Sequence, residues 1–255
     1  MTGPIEKQLQ RDITKLGTLC FGLVDSQGLT PSSAARTAKT CQQCGISAIL
    51  VGGSTTIDQL EVHSIVKSIK KSVTIPVILF CGNVTGISPS ADAILFSSLL
   101  NSDNPYFITQ AQALGALAIR KYRLEAIPLA YLVIGDGGSV GFVGRTRGIP
   151  PTKPVLAGMY ALAAQYMGMR SLYLEGGSGV MSHVPVALLS SVRSLYGGTI
   201  FVGGGIRTPL QAATLAKAGA DVLVIGSLLE QEGFESTLKQ IVRKVQLQKK
   251  RIRKY

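Results

Sequence analysis

Residues 171–227 read SLYLEGGSGVMSHVPVALLSSVRSLYGGTIFVGGGIRTPLQAATLAKAGADVLVIGS, and the same pattern occurs in them three times. An apolar run of strand length (SLYLEG, TIFVGG, DVLVIG) ends in glycine, and between one run and the next lies a segment long enough for a helix. Short apolar runs bounded by glycine and separated by helical segments read as parallel strands joined by crossover helices.

Moving toward the N-terminus, the alternation continues. Strands are predicted over 19–25, 46–53, 75–82, 93–98 and 129–134, with helices over 31–44, 57–72, 105–121 and 152–168. Thr30 or Ser32 is suited to cap the first of these helices. Further helices begin near Val184, Thr208 and Glu230. One crossover is missing. Only VTGISPSAD separates the third strand from the fourth, which is too short and too rich in Gly, Pro and Ser for a helix. Eight strands in one series predict a single-domain (β/α)8 TIM barrel over residues 1–255, its third helix replaced by an irregular segment. The length of 255 residues suits one such barrel. The glycine-rich stretch 135–151 is too long for an ordinary βα connection and reads as an active-site lid.

Composition narrows the class. Hydrophobic residues are 46% of the chain and aromatics only 6%, as parallel strands covered by helices require. No apolar run reaches the ~18 residues of a membrane span, and the N-terminus is too charged for a signal peptide. A cytoplasmic enzyme is expected. Four cysteines suit a reducing compartment, and the Cys41–Cys44 pair lacks the partners of a zinc set. The net charge is +12, but seven of the 26 basic residues lie at 243–254, and without them it falls to +5. This basic C-terminal tail, at about 247–255, reads as a solvated helix end or as a peripheral contact with an anionic membrane. No nucleic-acid motif accompanies it.

Glycine-rich turns follow the last three strands: Gly176–Gly179 (GGSG), Gly203–Arg207 (GGGIR) and Gly226–Ser227. Such turns bring peptide N–H groups close to an anion, and the loops after strands seven and eight are the recurring phosphate site of these barrels. Asp25 and Ser54 lie at the ends of strands one and two. A carboxylate and a hydroxyl beside a diphosphate suit Mg²⁺, although each residue also reads as a simple turn or cap. Glu175 ends strand six, with Tyr173 two residues earlier on the same face, and is placed to take a proton from a substrate hydroxyl. Otherwise it is a salt-bridged rim carboxylate. His63 and His183 lie away from strand ends.

At these residues the chain resembles the archaeal geranylgeranylglyceryl phosphate synthases and their bacterial relatives that use heptaprenyl diphosphate. The resemblance rests on SLYLEGGSGV (171–180), FVGGGIRTP (201–209), ILVGGST (49–55) and ADAILFSSLLNSDNPYFI (91–108). It implies a prenyltransferase joining sn-glycerol 1-phosphate to geranylgeranyl diphosphate, which makes the first ether bond of archaeal membrane lipids. By motif, Tyr173, Leu174, Glu175, Gly176, Gly177, Ser178, Gly179, Gly204, Gly205, Gly226 and Ser227 hold glycerol phosphate. Asp25 and Ser54 hold Mg²⁺, and Glu175 with Tyr173 accepts the proton. A homo-oligomer is implied as well. Phe80, Phe96, Leu99, Leu100, Tyr106 and Phe107 are candidates for a prenyl groove. The sequence departs from the family's DPDK-like run at Asp25-Ser26-Gln27-Gly28, where the lysine is missing, and Arg145, Arg147 or Lys153 are candidates to supply the missing positive charge to the diphosphate. Two rival readings are another phosphate-binding barrel enzyme, of the thiamine-phosphate-synthase or indole-glycerol-phosphate-synthase type, and a non-catalytic phosphate-ligand barrel.

Overall fold

The computed structural model describes residues 2–53, 58–177, 179–180 and 182–248. Eight parallel strands close on themselves in chain order: β1 Leu19–Asp25, β2 Ala48–Gly52, β3 Val77–Leu79, β4 Ala93–Leu99, β5 Glu125–Gly137, β6 Ser171–Gly177, β7 Thr199–Gly203 and β8 Val222–Ile225. Helices α2 (Pro31–Gln43), α3 (Gln59–Ser72), α4 (Ala111–Tyr122), α6 (Pro154–Tyr166), α7 (Val186–Leu195), α8 (Pro209–Ala218) and α9 (Phe234–Gln246) pack outside. A 3₁₀ turn, Val84–Gly86, stands where the third crossover helix would be. Thr30 caps α2 through Ser33 N–H, and Asp58 caps α3.

Successive strand residues point to opposite faces. Phe21, Leu50, Ile78, Leu129, Tyr173 and Phe201 therefore fill the barrel, while Cys20, Ile49, Leu79, Leu172 and Val202 pack under the helices. Tyr173 stacks on Phe201 at 6.3 Å, and Phe201 meets Phe21 edge-on at 5.8 Å. The Cys41 thiol belongs to the outer layer, and burial, with Cys44 and Glu235 nearby, pushes it up to about 12. Metal binding and redox chemistry need a thiolate, so this thiol is unsuited to either.

Three segments differ from their sequence-based expectation. Helix 105–121 opens instead with a π-helical turn, Tyr106–Gln110, before α4 begins. The stretch 135–151 is no free lid. β5 runs on to Gly137 and leads into a short helix, α5 (Gly138–Val143). The chain then returns to pair Gly135 N–H with Ile149 O (2.8 Å) and Arg147 N–H with Asn101 O (2.8 Å). The buried Asn101 amide donates to Val133 O and Arg147 O at 3.0 and 2.9 Å. These bonds satisfy backbone groups that a mobile loop would leave to water.

The third difference is a helix at the N-terminus, α1 (Pro4–Leu16), which lies across the N-terminal end of the barrel. Its Leu9 and Ile13 join the interior cluster. The Glu125 carboxylate at the start of β5 accepts the N–H groups of Ile5 (2.7 Å) and Glu6 (2.8 Å), serving as a cap from 120 residues away. Glu6 in turn pairs with Arg170 through two bonds of 2.8 and 2.7 Å. Loss of a helix cap costs about 0.5–2 kcal/mol. Glu125→Ala is expected to lower the unfolding free energy by that amount, read as a lower urea midpoint at constant m-value, and an unchanged midpoint would show that α1 is held by its apolar face alone.

Candidate active site

The strands' C-terminal ends surround a cavity with two unlike regions. One is polar and built from the ends of β1, β6, β7 and β8. Gly177, Gly204, Gly205, Arg207, Gly226 and Ser227 line it, with Asp25 at the end of β1, the strand next to β8. The other is apolar and runs outward between β4 and α4. Its walls are Phe80, Val84, Ile87, Phe96, Phe107 and the inner face of α4 at Gly115 and Ile119. This groove occupies the side of the barrel left open by the missing third helix.

Glu175 stands at the junction. Inward-facing positions on β5, β6 and β7 fall in register, Tyr131 beside Tyr173 and Val133 beside Glu175, which faces Gly203. The carboxylate is buried. Its Oε1 accepts Gly177 N–H at 2.6 Å, and its Oε2 accepts the Tyr131 hydroxyl at 3.0 Å. Tyr173 is a third donor. Burial raises the carboxyl above its ordinary 4.5, and the three donors pull it partly back by stabilising the charged form. Both phenols lie well above 10, chiefly through burial and then through the charge of Glu175, so they remain donors.

Glycine is required here by space as well as by turning. A Cβ on Gly203 would collide with the Tyr173 hydroxyl. Gly204 has φ +87°, and a Cβ there would lie 2.9 Å from Glu175 Oε1. The turns after β6 and β7 are tied together by Arg207, which donates to Gly179 O at 3.2 Å. Of the helices behind the three turns, α8 begins closest, at Pro209, and Thr208 and Gln211 form a capping box on its first turn. The other two begin farther along, so a helix dipole serves the turn after β7 best.

Most of the expected site residues converge. Leu174 is the exception within its run, because alternation turns its side chain outward into the strand–helix layer. Ser178 and Ser54 lie outside the described residues, as do residues 249–255 of the basic tail. Asp25 is exposed at the rim, and its Oδ1 accepts Gln27 N–H at 3.0 Å. Of the groove candidates, Phe80, Phe96, Leu99 and Phe107 line the cavity. Leu100 packs into the core instead, and the Tyr106 hydroxyl donates to Asn83 Oδ1 at 2.5 Å. Arg145, Arg147 and Lys153 are absent from the lining, and Arg147 pairs with Asp103 at 2.8 Å. Among the described residues, Arg207 is the cation that lines the cavity. His63 and His183 bond to Ser88 Oγ and Val184 O. Tyr131 is a site residue that sequence reading missed. Its one signal was the alternation Leu129, Tyr131, Val133, which puts it on the Tyr173 side of the sheet.

Barrel and site together define a phosphate-ligand enzyme of the (β/α)8 class, with a buried carboxylate between an anion cradle and an apolar groove. The sequence matches the PcrB family over residues 24–245, and the chain belongs to that family. It is 53% identical over 245 residues to a geranylgeranylglyceryl phosphate synthase of Nitrosopumilus maritimus, covering 96% of this chain and 98% of that protein. With the synthase of Cenarchaeum symbiosum it shares 54% over 239 residues, 94% of this chain and 97% of the other. The crystal structure of (S)-3-O-geranylgeranylglyceryl phosphate synthase from Thermoplasma acidophilum with sn-glycerol-1-phosphate superposes with a TM-score of 0.91 at 37% identity, covering 97% of this chain and all of that one.

The hydrogen bond from Tyr131 predicts a pH effect. A carboxylate acting as base works only when deprotonated, so its raised value places the acidic limb of kcat/KM above 4.5. Tyr131→Phe removes a donor that stabilises the carboxylate and is expected to move that limb further up. A limb that stays in place or moves down would sever the two residues' roles.

Proposed function

We propose that this chain joins sn-glycerol 1-phosphate to geranylgeranyl diphosphate, releasing diphosphate and forming the first ether bond of archaeal membrane lipids. The observation that carries the reading is the position of Glu175, where the glycine turns meet the apolar groove. A phosphate seated on the turns after β6, β7 and β8 directs the glycerol hydroxyls toward Glu175. A prenyl chain in the groove presents its C1 to the same point. The glycerol 3-hydroxyl oxygen bonds to C1, the C1–oxygen bond to diphosphate breaks, and the hydroxyl proton passes to Glu175. Tyr131 and Tyr173 keep that carboxylate aimed. The allylic carbon carries positive charge as the bond breaks, so positioning of a weak nucleophile outweighs its basicity. The pinned 135–151 segment at the rim helps to exclude water, which would otherwise hydrolyse the prenyl group. A groove of this kind has no use in a thiamine-phosphate-type reaction.

Mg²⁺ belongs to the same proposal. It binds through one or two carboxylates together with substrate phosphate oxygens, and Asp25, an exposed carboxylate at the rim of the cavity, fits that mode. Ser54 is the second ligand expected from the sequence. When bound, the ion neutralises charge on the departing diphosphate. Among the described residues no cluster of three or more His, Cys, Asp or Glu offers an all-protein metal site, in keeping with an ion shared with substrate.

We place the enzyme in the cytoplasm. Its four cysteines are unpaired thiols, and no helix among the described residues is long and apolar enough to cross a membrane. Self-association is supported by α6. Residues 154–169 contain no charged side chain, yet Val155, Met159, Tyr166 and Met167 are 61–78% exposed. A helix apolar on all sides is normally covered. Met159→Lys with Tyr166→Glu is expected to reduce the sedimentation mass to that of one chain, and an unaltered mass above one chain would move the interface elsewhere.

The reaction is tested with labelled sn-glycerol 1-phosphate, geranylgeranyl diphosphate and Mg²⁺, extracting product into butanol. Glu175→Gln is expected to lower kcat by about 10²–10⁴-fold with glycerol phosphate affinity retained. Full turnover in the variant would remove Glu175 as base.

A further inference from the structure

The acids at the two ends of the barrel differ in exposure. Parallel strands all start at one end, and the outer helices return to finish there. Five acids lie at this N-terminal end: Glu6, Asp12, Asp92, Glu125 and Asp221. Four of them are engaged internally. Glu6 holds Arg170, Asp92 holds Lys70 and Val77 N–H, Glu125 caps α1, and Asp221 holds Arg193 and Ile200 N–H. The cations at the same end are different. Lys71, Lys121, Lys217 and Lys244 are exposed at or near the ends of α3, α4, α8 and α9. Asp25, Asp58, Asp103, Asp136, Glu230 and Glu232, all exposed, lie at the opposite end with the cavity mouth, where Arg145, Arg147, Lys153 and Arg207 also stand.

Cations in a last helical turn offset the helix dipole, which accounts for the four lysines. It does not account for α1. Lys7, Arg11 and Lys15 recur every four residues and form one exposed stripe on the side opposite Leu9 and Ile13. Lys7 and Arg11 lie before the last turn, where a cation gains nothing from the dipole. Apolar side chains also stand in solvent at this end, Leu16 (44% exposed) and Leu247 (67%) at the ends of α1 and α9, and Tyr166, Met167 and Leu195 at the ends of α6 and α7. Cations interspersed with exposed leucine suit the headgroup region of a bilayer, whereas a nucleic-acid backbone has no use for the leucines.

We propose that the N-terminal face of the barrel, built on the outer stripe of α1, docks on a bilayer of anionic lipid. The inference rests on the prenyl-transfer reading, which supplies an amphiphilic substrate and product. Docked this way, the mouth faces water, from which glycerol phosphate arrives. Helix α4 spans from the groove to the docked face, a length of about 18 Å for 12 residues.

The test is sedimentation of the full chain with extruded vesicles, either phosphatidylglycerol with phosphatidylcholine at equal parts or phosphatidylcholine alone, in about 0.1 M salt. The wild type is expected to pellet with the anionic vesicles only and to be released by about 1 M salt. Each cation near such a surface is worth about fivefold in partition, so Lys7→Glu/Arg11→Glu/Lys15→Glu is expected to lose about a hundredfold or more. Its prenyl transfer in vesicle-free buffer should be unchanged. If that variant fails to fold, Lys71→Glu/Lys217→Glu tests the same face and is expected to weaken partition. Equal binding to both vesicle types, wild-type binding by the variants, or loss of binding only on truncation after Gln248 would overturn the proposal. So would retardation of duplex DNA by a chain that ignores the anionic vesicles. Vesicle binding without any vesicle-free prenyl transfer would instead overturn the functional reading and leave the docking face standing.

Discussion

An ionisable carboxyl inside an apolar barrel is expensive, and much of the upper half of this molecule is arranged around Glu175. An unpaired carboxylate there would simply take up a proton. Three donors oppose that, the Gly177 N–H and the hydroxyls of Tyr131 and Tyr173. Each donor imposes a demand of its own. The Gly177 donor needs the sharp turn after β6, and the Tyr173 hydroxyl needs the space that Gly203 leaves open. The turn after β7 must pass close by without a side chain, which Gly204 permits. The glycines of the anion cradle thus serve the carboxylate as well as the phosphate, which ties proton acceptance and anion binding to a single stretch of backbone.

The apolar half of the site has a simpler origin. A (β/α)8 barrel with every crossover helix in place would bury the outer faces of β3 and β4 completely. Here a short 3₁₀ turn substitutes for one helix, and Phe96 and the inner face of α4 line a groove instead of a sealed layer. Gly115 widens it further, since α4 presents no side chain at that point.

Much of this was legible from the chain. The eight strands and the absent helix follow from spacing alone, because the crossover segments have characteristic lengths. Glu175 and Tyr173 were legible because both lie on one strand face and a glycine turn follows. Tyr131 was not, since Glu175, to which it donates, is 44 positions away in sequence and meets it only through strand register. The segment 135–151 looked loose because its glycines suggest flexibility, while the bonds from Asn101 that fix it come from another loop. Leu174 shows the limit of carrying a motif across as a block: alternation sends every second member of the run to the other side of the wall.

The remote cap on α1 bears on how the chain assembles during synthesis. The helix is complete once the chain has reached Leu16, but the carboxylate that caps it lies 120 residues downstream of Ile5, and the partner of Glu6 lies 164 downstream. At ribosomal speeds that interval is on the order of ten seconds. For that time a short amphipathic segment with exposed Leu9 and Ile13 has nowhere to dock. Closure of the barrel floor is therefore a late event, dependent on β5 and the start of β6, and the nascent chain is most exposed to mispairing or capture before those strands emerge.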